Sequence, residues 1–219
     1  MKKIFQKKRI CRFSASSPEI KYLVRKDPDF KYVVDEIGEL VYVLPDDPFL
    51  FMAETIIGQM LSNKVADVLS ARMSLLCGGV VAPDVVSRLS VEQMRKIGLS
   101  KYKARHILGL ADYASKSPDF FAALTRLSDE EVIERLTKLP GIGDWSAKMY
   151  LIFMLNRLDV LPFEDGAFLR SYIWLYNTRN VQPDAVRRRC AAWKPYSSLA
   201  ARYLYRALDK GLTRTLLFR

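Results

Sequence analysis

The chain has 219 residues with 35 Lys and Arg against 24 Asp and Glu, a formal net charge of +11, and half of its residues are hydrophobic. A chain of this length buries about 70% of its unfolded surface without staples, and this composition excludes a wholly disordered, collagen-like or fibrous protein. Cys11, Cys77 and Cys190 are single and widely spaced and His106 is the one histidine, so a four-thiolate zinc or iron–sulfur centre is excluded and neither a metal nor a cofactor is expected.

Residues 1–13 carry Lys2, Lys3, Lys7, Lys8, Arg9 and Arg12 and no acidic residue, which reads as a mobile basic arm or a solubilising tail. No apolar run follows these charges, so neither a signal peptide nor a membrane span is visible and an intracellular, reducing setting is expected. Residues 39–44, between Gly38 and Pro45, form the single strand candidate. Helical spacing then dominates. In 49–61 the pairs Ile56/Ile57 and Met60/Leu61 recur at helix intervals, Ser62 and Asn63 interrupt them, and Val65, Val68 and Leu69 continue beyond. Ser90 with Gln93 and Ser128 with Glu131 each spell a capping box ahead of an apolar run. Pro183 and Asp184 open a further helical run that stops by Trp193, because Pro195 disfavours helix at the residue before it, and 196–208 restarts it. The expectation is an all-α fold of many short helices with tight connections.

Beyond the arm, positive charge sits on foldable segments at Lys101, Lys103, Arg105, Arg187, Arg188, Arg189, Lys194, Arg202 and Arg206. A positive surface attracts a polyphosphate over a Debye length and releases condensed counterions on contact, so nucleic acid is the expected partner. A membrane is not, since no stretch sets a basic face against a broad aromatic and leucine face.

Between the helix announced by Ser128 and an apolar run over 145–155 lies Leu139-Pro140-Gly141-Ile142-Gly143-Asp144. This is a helix-hairpin-helix pattern: Pro140 ends one helix, the two glycines allow a turn with positive φ, and Ile142 between them can plug the core. The amides that start the second helix then face outward and suit a phosphate, holding a DNA backbone without reading its sequence. Taken alone, such a turn is equally a plain helix connection. After the second helix, Asp159 to Asp165 leads into a helical stretch over 166–176, and Asp165 stands where an N-cap belongs.

The run Leu139-Pro-Gly-Ile-Gly-Asp-Trp-Ser-Ala147, followed by Pro162 and Asp165, resembles the signature of the helix-hairpin-helix DNA glycosylase superfamily, and within it the 3-methyladenine DNA glycosylase II group. Ile56-Ile-Gly-Gln-Met-Leu-Ser62, Ile97-Gly-Leu-Ser-Lys-Tyr-Lys-Ala-Arg105 and Trp193-Lys-Pro-Tyr-Ser-Ser-Leu-Ala-Ala-Arg-Tyr-Leu-Tyr205 fit in the same order, so the match runs from about Pro18 to Leu212.

The resemblance implies two helical lobes with a DNA cleft between them: 46–157 with the hairpin, and 14–45 with 158–219, after a basic arm over 1–13. It implies that Asp165 is the catalytic carboxylate, with Glu164 as a neighbour whose spacing from Pro162 fits less well. Bifunctional relatives carry a Lys where this chain has Trp145, and Lys148, three residues on, sits elsewhere on the helix. A monofunctional enzyme that leaves an abasic site is expected. Trp145 and Tyr205 are implied as pocket aromatics, while Met149 and Gly166 replace tyrosines of better-known bacterial relatives and leave the substrate range open beyond 3-methyladenine and 7-methylguanine. Gln59, Met60 and Ser62 resemble the loop that fills the gap behind a flipped nucleotide, although Met60 and Leu61 also fit the core of an amphipathic helix. Gly141, Ile142 and Gly143, with Lys101 and Lys103, complete the implied DNA contacts. The partner is double-stranded DNA with damaged bases, bound by a monomer. Two other readings stay open: a non-catalytic hairpin protein that binds damaged or abasic duplex, and a glycosylase with lyase activity through Lys148. His106 reads as an ordinary surface or core residue.

Overall fold

The computed structural model describes residues 9–214. The chain gathers into two compact units, one formed by residues up to Leu44 together with those from Asn156 onward, the other by Pro45–Leu155.

In the first unit, strand β1 (Ile10–Phe13) pairs antiparallel with β2 (Leu40–Val43), Ile10 facing Val43 and Phe13 facing Leu40. The sequence marks only the second of these and assigns 10–13 to the basic arm. Pairing corrects that assignment. Cys11 and Phe13 turn to the half-buried face while Ile10 and Arg12 remain exposed, so a strand with one wet face accommodates the basic residue, and Arg12 meets Glu39 at 3.4 Å. The arm's other lysines, Lys2, Lys3, Lys7 and Lys8, lie outside the described residues.

Helices α1 (Pro18–Lys26) and α2 (Phe30–Ile37) come from the N-terminal part of this unit. Further on, the same unit holds α11 (Gly166–Tyr176), α12 (Pro183–Cys190) and α13 (Ser197–Asp209). Ile20, Leu23, Phe30, Phe168, Trp193, Tyr203 and Leu204 are wholly buried among them, each such side chain contributing about 1.5–3 kcal/mol by leaving water. Ser171 Oγ on α11 donates to the Leu204 carbonyl on α13 at 2.9 Å and pins the two helices together. A buried polar node closes the far side, where Trp193 Nε1 donates to Asp27 at 2.8 Å and the Tyr176 hydroxyl donates to the same carboxylate.

The second unit runs through α3 (Pro48–Gly58), α4 (Asn63–Leu76), α5 (Pro83–Val86), α6 (Val91–Lys96) and α7 (Lys101–Lys116). It continues through α8 (Phe120–Leu124), α9 (Asp129–Thr137) and α10 (Asp144–Met149), which extends as a π-helical turn over Tyr150–Met154. Both capping boxes form: Gln93 N donates to Ser90 Oγ and Glu131 N to Ser128 Oγ, each at 3.2 Å, and each N3 side chain accepts from its cap's backbone N–H at 2.8 Å. Ile56, Met73, Met94, Ile107, Leu110, Leu136 and Leu151 fill the core between these helices. Among the described residues no helix is long and apolar enough to cross a membrane, and no group of three or more His, Cys, Asp or Glu could hold a metal ion.

Candidate active site and nucleic-acid interface

The residues singled out in the sequence divide between the two units. In the second unit, α9 runs into the hairpin, where Leu139 and Ile142 are each 5% exposed and act as its plugs, with Ile142 N bonded to the Leu139 carbonyl at 3.2 Å. Gly141 has φ +80, and a Cβ placed there would stand 2.3 Å from His106 Nδ1. Glycine is thus required twice at this point, by the left-handed backbone and by the imidazole of α7 packed beneath it. His106 backs the hairpin and is a structural residue.

Gly143 differs from the expectation. Its φ is −106 and its ψ −177, ordinary extended backbone, so only the first glycine of the pair uses the left-handed region. Gly143 is exposed, a Cβ there would meet nothing within 4 Å, and no side chain caps the start of α10. The helix start is uncovered. Asp144 stands in its first turn, Trp145 follows partly exposed, and Met149 is packed at 7% exposure in the core. Lys148 is also partly buried, one helical turn along from Trp145.

The segment after α3 folds as a tight turn in which Leu61 N donates to the Gly58 carbonyl at 3.0 Å. Met60 occupies its third position with φ +59 and is fully exposed. An L-residue held left-handed costs about 1–2 kcal/mol, and a methionine wholly in water forgoes its burial. The core reading of Met60 is thereby excluded: the helix ends before it. Ser62 is likewise exposed and precedes α4 as its N-cap residue.

Two side chains hold this turn. Gln59 Nε2 donates to the Gly141 carbonyl at 2.8 Å and to Ser146 Oγ at 3.1 Å, tying the turn to the hairpin and to α10. Lys103 Nζ donates to the Ile57 carbonyl at 2.8 Å and to the Gln59 carbonyl at 2.7 Å. The sequence places Lys103 among the DNA contacts, and the structure gives its ammonium different work: the last carbonyls of α3 lack helical donors, and Lys103 supplies them. Partial burial lowers its pKa from the usual lysine value. Lys101 stays exposed at the start of α7 beside Tyr102.

In the first unit, Asp165 is the N-cap of α11. Its Oδ1 accepts from Phe168 N at 2.7 Å, its own N–H closes a turn onto the Pro162 carbonyl at 2.9 Å, and the residue is 8% exposed. Phe168 is anchored against Trp193, so the amide that grips the carboxylate belongs to a residue of this unit's buried core. Gly166, the next residue, is exposed, and a Cβ there would meet nothing within 4 Å.

Tyr205 on α13 is part-buried with its hydroxyl enclosed. Burial first, then the negative charges of Asp165 and Glu164, push its pKa well above the usual tyrosine value. Arg202, three residues earlier, is 8% exposed and lies 3.8 Å over the Tyr42 ring. Tyr42 OH donates to Asn156 Oδ1 at 2.9 Å, Asn156 Nδ2 approaches Cys11 Sγ at 3.8 Å, and burial raises the Tyr42 pKa to about 12. Sequence reasoning counted Arg202 only as surface charge. Its position inside the apolar stretch from Leu199 to Leu204 was the available sign that it faces inward.

A family model described as HhH-GPD superfamily base excision DNA repair protein matches residues 53–195. DNA-3-methyladenine glycosylase 1 of Schizosaccharomyces pombe is 30% identical over 165 residues, covering 73% of this chain and 72% of that protein. The crystal structure of a DNA-3-methyladenine glycosidase from Bacillus halodurans superposes with a TM-score of 0.78 and 32% identity, over 92% of this chain and 94% of that one. The Schizosaccharomyces pombe 3-methyladenine DNA glycosylase in complex with abasic DNA gives a TM-score of 0.78 with 27% identity, over 88% of this chain and 97% of that one.

Proposed function

We propose, from the premise that the chain belongs to the HhH-GPD superfamily of base excision DNA repair proteins, that it is a monofunctional glycosylase that excises alkylated purines from duplex DNA. The observation that carries this reading is the buried carboxylate of Asp165, fixed at the start of α11 by the Phe168 amide. A carboxylate so held needs no reorganisation to face a charge that develops next to it.

The chemistry is hydrolysis of an N-glycosidic bond. The target nucleotide leaves the stack, the bond between C1′ and the base nitrogen breaks with its electron pair going to the base, and positive charge builds on the sugar. Asp165 stabilises that cation and accepts a proton from the water that adds to C1′. The products are a free base and an abasic site. An alkylated purine that is cationic leaves neutral, so it is already activated, and an aromatic face such as that of the partly exposed Trp145 suits a cationic ring.

The hairpin supports the grip on the DNA backbone through the uncovered start of α10 at Gly143. Met60 supports base flipping: an exposed apolar side chain on a strained turn fits the gap left by an extruded nucleotide and offsets part of the few kcal/mol of unstacking. Trp145 occupies the sequence position at which bifunctional relatives carry a lysine, which supports the monofunctional reading. Gly166, with open space beside it, points to a roomy pocket for methylated purines such as 3-methyladenine and 7-methylguanine. The protein acts inside the cell as a monomer.

Incubation with methylated duplex DNA, followed by mass analysis of released bases, tests the reading. Native protein should release methylated purines and leave intact strands with abasic sites. Binding of abasic duplex without release would identify a non-catalytic binding module instead, and a borohydride-trapped adduct would identify a lyase.

A further inference from the structure

The segment 156–165, which ends on Asp165, contains no helix or strand. Such a chain is fixed only by partners elsewhere, and here they stand in the first turn of α13. Ser198 N donates to the Leu158 carbonyl at 2.9 Å. The Ser198 hydroxyl accepts from Val160 N at 2.8 Å and donates to the Val160 carbonyl at 3.1 Å, so one side chain satisfies both backbone groups of Val160. Between these contacts, Asp159 Oδ1 accepts from Ser197 Oγ at 2.5 Å and from Ser197 N at 3.3 Å. Three consecutive residues are thus latched onto two, and Val160, Ser197 and Ser198 are all buried. The contact is mutual: no side chain of Tyr196 caps α13, and the Leu158 carbonyl and the Asp159 carboxylate supply acceptors for its first amides.

The steps from that latch to Asp165 are constrained in turn. Leu161 and Phe163 pack against the unit's core, Pro162 is buried, and the Arg187 guanidinium lies 3.9 Å over the Phe163 ring. The Pro162 carbonyl accepts from Asp165 N at 2.9 Å, and Asp165 Oδ1 accepts from Phe168 N in α11 at 2.7 Å. Helix α11 returns to α13 where Ser171 Oγ donates to the Leu204 carbonyl at 2.9 Å. Ser198, the segment, α11 and α13 therefore form a closed ring of constraints, and Asp165 is a member of it.

We propose that Ser198 is a positioning residue for Asp165: its hydroxyl, with the Asp159–Ser197 pair beside it, fixes the segment that delivers the carboxylate to the start of α11. The proposal rests on the glycosylase reading and deepens it, because control of the carboxylate's place is assigned to a residue that acts through the segment and not by contact with the carboxylate.

The test is single-turnover release of 7-methylguanine from methylated duplex by the native chain and by Ser198→Ala, Asp165→Asn and the double variant, with affinity for an abasic duplex and the melting temperature measured beside it. Tyr203→Phe is the control for destabilisation alone: it lies on the same helix, but its hydroxyl sits 3.2 Å from the Phe13 and Gly38 carbonyls, away from the segment. Misplacing a catalytic group by about 1 Å costs up to about a hundredfold in rate. Ser198→Ala should therefore release base about tenfold to a hundredfold more slowly, with abasic-duplex affinity within about twofold of native. Tyr203→Phe should lower the melting temperature and keep the native rate. The double variant should be no slower than Asp165→Asn, because a residue acting through the carboxylate has nothing left to place. Asp159→Ala, made at a half-buried side chain, repeats the test should Ser198→Ala not fold, with a several-fold loss expected and a native rate overturning the proposal. A native rate in Ser198→Ala, an equal slowing in Tyr203→Phe, or a loss that multiplies with that of Asp165→Asn would overturn the positioning role while leaving the glycosylase reading intact. No release by the native chain would overturn the glycosylase reading and the proposal with it.

Discussion

Two helix starts in this molecule are built from the same backbone and finished in opposite ways. Helix α11 begins at Asp165, whose own carboxylate takes the Phe168 amide; α10 begins at Gly143, with no side-chain cap and open space where a Cβ would stand. A helix start gathers partial positive charge and unpaired amides. Filled by its own anion, it becomes a mount for a carboxylate that can face a cationic sugar. Left uncovered, it can receive an external anion, which on the proposed reading is a DNA phosphate. One residue's side chain thus decides whether a helix end supplies negative charge or receives it.

The comparison can be broken most severely at the filled start. Asp165→Asn keeps a capping side chain of equal quality, so the melting temperature should stay within the equivalent of about 1 kcal/mol, while single-turnover release of methylated purines falls about a hundredfold to a thousandfold through loss of the anion. A comparable drop in melting temperature would mean that Asp165 is chiefly a cap. Next comes the turn that aims the uncovered start. Gly141→Ala introduces a Cβ against His106 at a left-handed position and should cost about 2–4 kcal/mol of stability, read by denaturant titration, with abasic-duplex affinity lost in parallel.

Gly143→Asp tests the difference itself, by giving α10 the finish that α11 has. The backbone there is extended and the space is open, so stability should hold or rise by a few tenths of a kcal/mol. Affinity for duplex should fall about tenfold, because the new carboxylate occupies the phosphate's place and repels it. Unchanged affinity in a salt titration would move the backbone grip elsewhere. The smallest effect on the fold belongs to Met60→Gly, which relieves the left-handed strain against a gain in unfolded-chain entropy and should leave the melting temperature within a few degrees. Excision from fully paired duplex should nevertheless slow several-fold, and less so when the target base is mispaired.

Local chemistry was legible in the sequence where it decides the outcome. Ser90 and Ser128 announced their capping boxes, and Asp165 announced its helix, because a cap is written within four residues. The hairpin's plug, Ile142, followed from its place between the glycines. Long-range partners were not legible. Strand β1 exists because residues thirty positions away run alongside it, so the basic residues around it read as an arm. Lys103 reads as surface charge until α3 is seen to end beneath it. The two glycines of the hairpin look equivalent in sequence, yet one is demanded by φ and by His106 and the other by neither. Arg202 belongs to a network with Tyr42 and Asn156, whose members come from α13, β2 and the start of the segment after Leu155, and no spacing along the chain records such a meeting.

Gln59 gives the second unit a property that no single contact states. Its side-chain amide is fastened to the hairpin and to α10, and its carbonyl is fastened to α7 through Lys103. The turn carrying Met60 and the start of α10 at Gly143 are thereby joined through one side chain. The interval between Met60 and Gly143 is set by these bonds. On the proposed reading, a duplex held at Gly143 would meet Met60 at one offset along its strand, so the position probed would be set by where the backbone is held.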